Sequence, residues 1–200
     1  MSDFTRRTVV RGAAWTVPVV AVATTVPAFA ASNVPPPPVI NFGGACGNTG
    51  AQQKGCGGDK TLQVPLTLSN PGPTDIIFQI TAMFTCNCAT APTSATPGDG
   101  TAVGVRGIFA TPNHTVPSQN DCTLVTPPSP ACPGGIAGGN VLVPAGTSNA
   151  TYWIESNSLG SSSTFSSRIT FRLLAVGSCA VLRTGEAFTA SAISPANCDG

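Results

Sequence analysis

The sequence predicts an all-β protein built as a two-sheet antiparallel sandwich and stapled by disulfides. Three observations carry that expectation. Short runs of alternating apolar and polar residues recur through residues 61–200, with Gly, Pro, Asn and Asp between them. No stretch there repeats its apolar residues at the helical period of about 3.6. Eight cysteines stand in even number, all in the later part of the chain.

The strands follow in order. Leu62, Val64, Leu66 and Leu68 alternate with polar residues, and Pro65 on the opposite face points to an edge strand. Asn70-Pro71-Gly72-Pro73 is a turn, read as a hairpin or a corner between sheets. Ile76, Phe78, Ile80, Ala82 and Phe84 then alternate in a second strand that runs into Cys86. Further strands are expected at 102–110, 122–126, 140–144, 149–155, 167–176 and 186–193. In the 167–176 run, Ile169, Phe171 and Leu173 face inward.

Residues 1–30 have the layout of a cleavable export signal. A basic head with Arg6, Arg7 and Arg11 precedes an apolar stretch, Gly12 to Val26, and the small residues Ala28 and Ala30 precede Ala31 at the expected cut. With Pro18 inside it, the stretch is too short to cross ~30 Å of hydrocarbon as a stable helix. Thr5-Arg6-Arg7-Thr8-Val9-Val10-Arg11 is similar to a twin-arginine signal, with Val and Arg in place of the usual Phe and Lys. Both the twin-arginine and the general secretory routes stay open. The bland alternative is a basic tail that is never cut. The expected organisation is 1–30 signal, 31–60 a Pro/Gly-rich segment, and 61–200 the sandwich domain. Secretion or display at the cell surface follows, with no stable membrane span after cleavage.

Cys46, Cys56, Cys86, Cys88, Cys122, Cys132, Cys179 and Cys198 read as four disulfides, because an exported chain meets an oxidising compartment. Zinc is the rival reading, but the spacings are not those of zinc sites. The pairing is open. A repeated gap of nine residues suggests local loops at Cys46–Cys56 and Cys122–Cys132. Cys86 and Cys88 share one face of a strand and should reach elsewhere, leaving Cys179 and Cys198 as remaining candidates. Such staples can offset a composition of 22 Gly and 19 Pro and its long loops.

Beyond residue 30 there are six Lys/Arg against seven Asp/Glu, so no basic face exists for phosphates and nucleic acid is not an expected partner. The Gly-rich 43–58 segment lacks the spacing of a phosphate loop, and no cofactor is expected. Catalysis finds little footing. His114 is the single histidine, set in a polar loop, and no Gly-x-Ser-x-Gly elbow occurs. Of the acids, Asp59, Asp75, Asp99, Asp121 and Asp199 sit by turn residues, whereas Glu155 and Glu186 lie on expected strands. No Asp-rich calcium loop is present. Tyr152 and Trp153, neighbours on one strand, point to opposite faces, so one enters the core and the other is free to stack on a sugar. With Glu155 they are the candidate ligand contacts. Ser161–Thr164, Ser166 and Ser167 read as solvated strand surface or as sugar-attachment sites.

The runs LQVPLTLSNPGPTDIIFQI and VLVPAGTSNATYWIES resemble bacterial immunoglobulin-like modules, which join strands through Asn-x-Gly and Pro-Ala-Gly-Thr turns. The opening RRTVVRGAAWTVPVVAVA resembles that of many small exported actinobacterial proteins of unassigned function. These resemblances imply an immunoglobulin-like sandwich at the cell surface and transfer no catalytic residue. The antibody Cys…Trp…Cys framework is missing. The expected function is therefore a non-enzymatic structural or interaction module of the cell envelope. It would recognise an envelope protein or polysaccharide through the loops 43–58, 86–101 and 111–140. The alternatives are a secreted carbohydrate-binding or hydrolytic protein using Trp153 or Tyr152 with Glu155, and a secreted protease inhibitor.

Overall fold

A computed structural model describes residues 34–47, 61–86, 104–110, 131–157, 164–190, 192–194 and 196–197. The chain divides into two units, Met1–Ala31 and Ser32–Gly200, and every described residue belongs to the second. Its strands are β1 (Val39–Ile40), β2 (Cys46–Gly47), β3 (Leu62–Asn70), β4 (Ile76–Cys86) and β5 (Val105–Phe109). They are followed by β6 (Asn140–Val143), β7 (Thr147–Ser156), β8 (Ser166–Ala175), β9 (Val181–Phe188) and β10 (Ala196–Asn197). One sheet runs β10-β2-β3-β7-β5, with β1 also on β3; the other runs β6-β4-β8-β9. All pairings are antiparallel except the short β10–β2 contact. The all-β, two-sheet expectation is met. No helix among the described residues is long and apolar enough to cross a membrane.

The alternation in the sequence places the core. Leu62, Val64, Leu66 and Leu68 from β3, with Ile154 from β7, face Ile76, Phe78 and Ile80 from β4 and Ile169, Phe171 and Leu173 from β8. Each of these side chains contributes about 1.5–3 kcal/mol by leaving water. Phe78 and Phe171 meet across neighbouring strands with ring centroids 5.7 Å apart.

Three strand expectations need correction. The phase of β4 slips at a bulge between Ile80 and Ala82, so Met83 turns inward where Ala82 and Phe84 were expected. Pro65 does not mark an edge, since β3 pairs with β7 on one side and with β1 and β2 on the other. It is tolerated because β1 and β2 are parted there by a short 3-10 turn, Phe42–Gly44. The Asn41 amide reaches the Pro65 carbonyl, and the missing Pro N–H faces that gap rather than a ladder acceptor. Finally, the last long strand is Val181–Phe188, not 186–193. Ile193 makes only an isolated bridge to Phe165. The expected strand at 122–126 lies outside the described residues.

The 71–75 connection is a corner and not a hairpin, because β3 and β4 lie in different sheets. The 144–146 connection, between β6 and β7, crosses at the same end. Asn70, only 1 % exposed, stitches the two. Its Nδ2 donates to the carbonyls of Thr74, Val143 and Pro144 at 2.8, 3.1 and 3.2 Å, and its Oδ1 accepts from Gly72 N–H. The Gly146 N–H reaches the Gly72 carbonyl, and Asp75 Oδ1 accepts from Ala145 N–H. The Asn70-Pro71-Gly72-Pro73 and Pro144-Ala145-Gly146-Thr147 turns are thus one structural unit.

The second sheet is strapped, across its outer face at Cys132 and Pro133 and along its β4 edge at Ile136 and Gly139. Residues 131–139 run beside β4, where Ile136 N–H reaches the Ile80 carbonyl and Ile80 N–H the Gly139 carbonyl. Gln79, fully buried, donates from Nε2 to the Cys132 carbonyl, and Arg172 bonds both Gln79 Oε1 and the Pro133 carbonyl. Cys132 pairs with Cys179 in the β8–β9 turn, with Cα atoms 5.5 Å apart, over a small cluster of Ile77, Leu174 and Leu142. This overturns the local Cys122–Cys132 loop. The strap carries Cys132 across the sheet to the turn, so the nine-residue sequence gap does not set the pairing. Cys46 is also disulfide-bonded. The Cys46–Cys56 expectation and the remaining cysteine side chains lie outside the described residues.

Two stability tests follow. Asn70→Ala should lower unfolding stability by about 2–3 kcal/mol in urea, since carbonyls at both corners lose a buried donor. A loss under about 0.5 kcal/mol would show that the corners hold without it. Cys132→Ser combined with Cys179→Ser should cost about 4 kcal/mol, the chain-entropy value for a sequence separation of 47.

Candidate functional site

Strand β7 places Trp153 and Glu155 on the outer face of the first sheet and Tyr152 and Ile154 on the inner one. Tyr152, half-buried, packs against the core opposite Leu66. The candidate trio is therefore divided. Trp153 is half-buried, with Pro65 and Phe109 as its cross-strand neighbours. Glu155 is 0 % exposed, so it offers no surface to a ligand.

Glu155 instead anchors an internal polar group. Thr61 Oγ1 donates to Glu155 Oε1 at 2.9 Å, and Arg106 Nη1 lies 3.8 Å from the same oxygen. Gln63, also buried, is the direct cross-strand partner of Glu155. Next to them, Ser156 Oγ accepts from Leu62 N–H and donates to the Asn157 carbonyl, both at 2.9 Å. Arg106 arrives through a bulge in β5, which sets Val105 and Ile108 in the core and turns the guanidinium to the other face. Sequence pattern does not single out Thr61, Gln63 or Arg106. The one available signal is an Arg within a strand of a chain that is only 8 % charged.

The remaining candidates are structural where they are described. Glu186 pairs with Arg168 at 2.6 Å, and Asp75 holds the corner. Ser166 and Ser167 are not solvated surface, since both are fully buried. Ser167 Oγ lies 2.9 Å from Thr85 Oγ1 and donates to the Phe84 carbonyl, because β8 is an interior strand at that point. Among the described residues no group of three His, Cys, Asp or Glu could hold a metal ion. His114, Arg6, Arg7, Ala28, Ala30, Ala31 and Ser161–Ser163 lie outside the described residues.

Three of the long connections have a common origin. Residues at the β3 start, β4 end, β5 start and β7 end adjoin one another, through Leu62–Ser156, Gly104–Met83 and Asn157–Gly104 hydrogen bonds. Cys86 is opposite Ser166, which brings the β8 start to the same end. The connections 48–60, 87–103 and 158–163 start and finish there, opposite the corners.

Glu155→Ala should destabilise the fold by about 2 kcal/mol or more, as it takes the acceptor of Thr61 Oγ1 and the counter-charge of Arg106. A double-mutant cycle with Arg106→Met should show coupling, and strictly additive losses would mean that the two side chains do not interact. Compared with known families, with curated proteins and with solved structures, the chain matches none of them.

Proposed function

We propose that the chain is an exported immunoglobulin-like module that serves the cell envelope as a non-enzymatic structural or interaction protein. The observation that carries this reading is the Cys132–Cys179 disulfide in a chain that opens with a basic and then apolar leader. The strand order supports the immunoglobulin-like part. Strands β1/β2-β3-β7-β5 follow the A-B-E-D arrangement and β4-β8-β9 follows C-F-G, with β6 added beside β4. Here β5 precedes β6 in the chain, the reverse of the order in antibody variable domains.

Recognition then belongs to the end from which 48–60, 87–103 and 158–163 depart. The corner end is tied by Asn70, Asp75 and the disulfide-bonded turn, whereas the opposite end carries the long connections a partner would read. A carbohydrate-binding reading is favoured by one observation, the half-buried Trp153 on the outer face. Glu155 shares that face but is buried beneath it, so it adds no ligand contact.

The intact mass of the natural protein, taken from culture medium and from envelope fractions before and after reduction and alkylation, tests the proposal. The expected mass is that of residues 31–200, short of two hydrogens per disulfide. A full-length chain with free thiols would overturn export. Retention on envelope polysaccharide that is lost in a folded Trp153→Ala variant would select the carbohydrate reading over a protein partner.

A further inference from the structure

We propose that β9 is a self-complementary edge through which two copies of this chain pair, joining their second sheets into one continuous antiparallel sheet. β9 ends the β6-β4-β8-β9 sheet, and among the described residues no strand pairs with its other side. The Thr189 N–H donates to the Ser167 carbonyl. By the two-residue alternation of the ladder, the amides of Ala187, Gly185 and Arg183 face β8, and those of Thr184, Glu186 and Phe188 face away. The N-terminal run reaches β9 through a side chain, Arg183 Nε to the Pro35 carbonyl at 2.9 Å, which leaves the outward amides without a backbone partner from that run.

The side chains on this strand specify the partner. Gly185 faces inward, where a Cβ would come within 2.5 Å of the Phe171 ring, so Thr184, Glu186 and Phe188 face outward. A bulge between Leu173 and Leu174 absorbs Leu182 into the core side and returns Val181 to the outer face, opposite Leu174. Opposite Leu174, Arg172, Thr170 and Arg168 of β8, the outward row therefore reads Val181, Thr184, Glu186, Phe188, two ladder positions apart. Its two ends are apolar and exposed, 53 % at Val181 and 50 % at Phe188, and its middle is polar.

Such a row is a palindrome. With Leu182 held out of the ladder as the bulge residue, a two-fold axis through Gly185, normal to the sheet, sets Val181 against the second copy's Phe188 and Thr184 against its Glu186, each twice. The amides that face away from β8 are those this register pairs. Shifting the axis to Glu186 would put like charges opposite each other, which disfavours that register. The two apolar contacts would form together with the backbone ladder. An interface of one strand pair is small, so the association is weak and dependent on concentration.

Sedimentation velocity over a range of protein concentration, with Thr184→Pro as the diagnostic variant, tests this. Proline at 184 removes an outward N–H and no bond to β8, so the variant should fold with an unchanged melting temperature and stay monomeric. The wild type should move toward twice the monomer mass as concentration rises. Phe188→Lys, which leaves the backbone intact, should weaken dimerisation by about tenfold or more. A wild type that stays monomeric throughout would overturn the proposal, as would a Thr184→Pro variant that dimerises like the wild type. A monomer that only accepts an unrelated extended peptide on this edge would count against it too.

Discussion

The amide of Asn70 is the point on which the two sheets depend. A sandwich must carry its chain from one layer to the other, and each crossing leaves backbone carbonyls without a ladder partner. Two such crossings meet at one end of this molecule, and a single buried side chain supplies donors to both. Only an amide offers two N–H groups together with an acceptor, so Asn70 can serve three carbonyls on one side, one N–H being shared between two of them, and cap Gly72 on the other. Asp would repel those carbonyls, and Leu would leave them bare. The facing of β3 against β4, and therefore the common core of Leu62 to Leu68 with Phe78 and Ile80, follows from that join.

The outer faces answer a different constraint. A sheet with water on one face needs only polar side chains there, yet both outer faces hold buried polar groups. On one, Gln79 and Arg172 bind the carbonyls of Cys132 and Pro133 and hold the strap down. On the other, Glu155 takes hydrogen bonding from Thr61 and faces Arg106. Side chains that sequence patterning assigns to solvent thus fix a covering segment on one face and tie neighbouring strands together on the other. The strap shows the consequence: Gly138, at φ +74°, sits where a Cβ would lie 2.8 Å from the Arg106 carbonyl, bringing the second sheet's edge against β5 of the first.

The sequence made the strands legible where apolar alternation ran unbroken, as in Leu62–Leu68 and Ile169–Leu173. It misled where one extra residue reset the phase. Thr81 is such a residue, and nothing in its identity distinguishes a bulge from a continued strand. Pro65 signalled an edge correctly in its chemistry but wrongly in its place, because a gap inside a sheet tolerates a missing N–H as well as an edge does. The pairing of Cys132 with Cys179 was illegible for a plainer reason. It is set by the path of the strap across the sheet, and a sequence gap carries no record of that path. The candidate site divided along the same line. Alternation correctly put Tyr152 and Trp153 on opposite faces, but the burial of Glu155 depends on Thr61 and Arg106, which come from other strands.

The edges of the two sheets connect these constraints. β5 is met by the strap, and β10 and β2 are tied near Cys46, itself disulfide-bonded. β9 has no such cover among the described residues. It carries Glu186, held by Arg168, but otherwise lacks the dense charge or outward proline that blunts an exposed edge. The Cys132–Cys179 bond anchors the turn that leads into β9, and Gly185 keeps the strand close over Phe171. The features that stiffen this edge are therefore the ones that would hold its outward amides in register. A flexible edge would gain little by pairing, because ordering it would cost the free energy that pairing returns. A rigid one keeps that free energy for association.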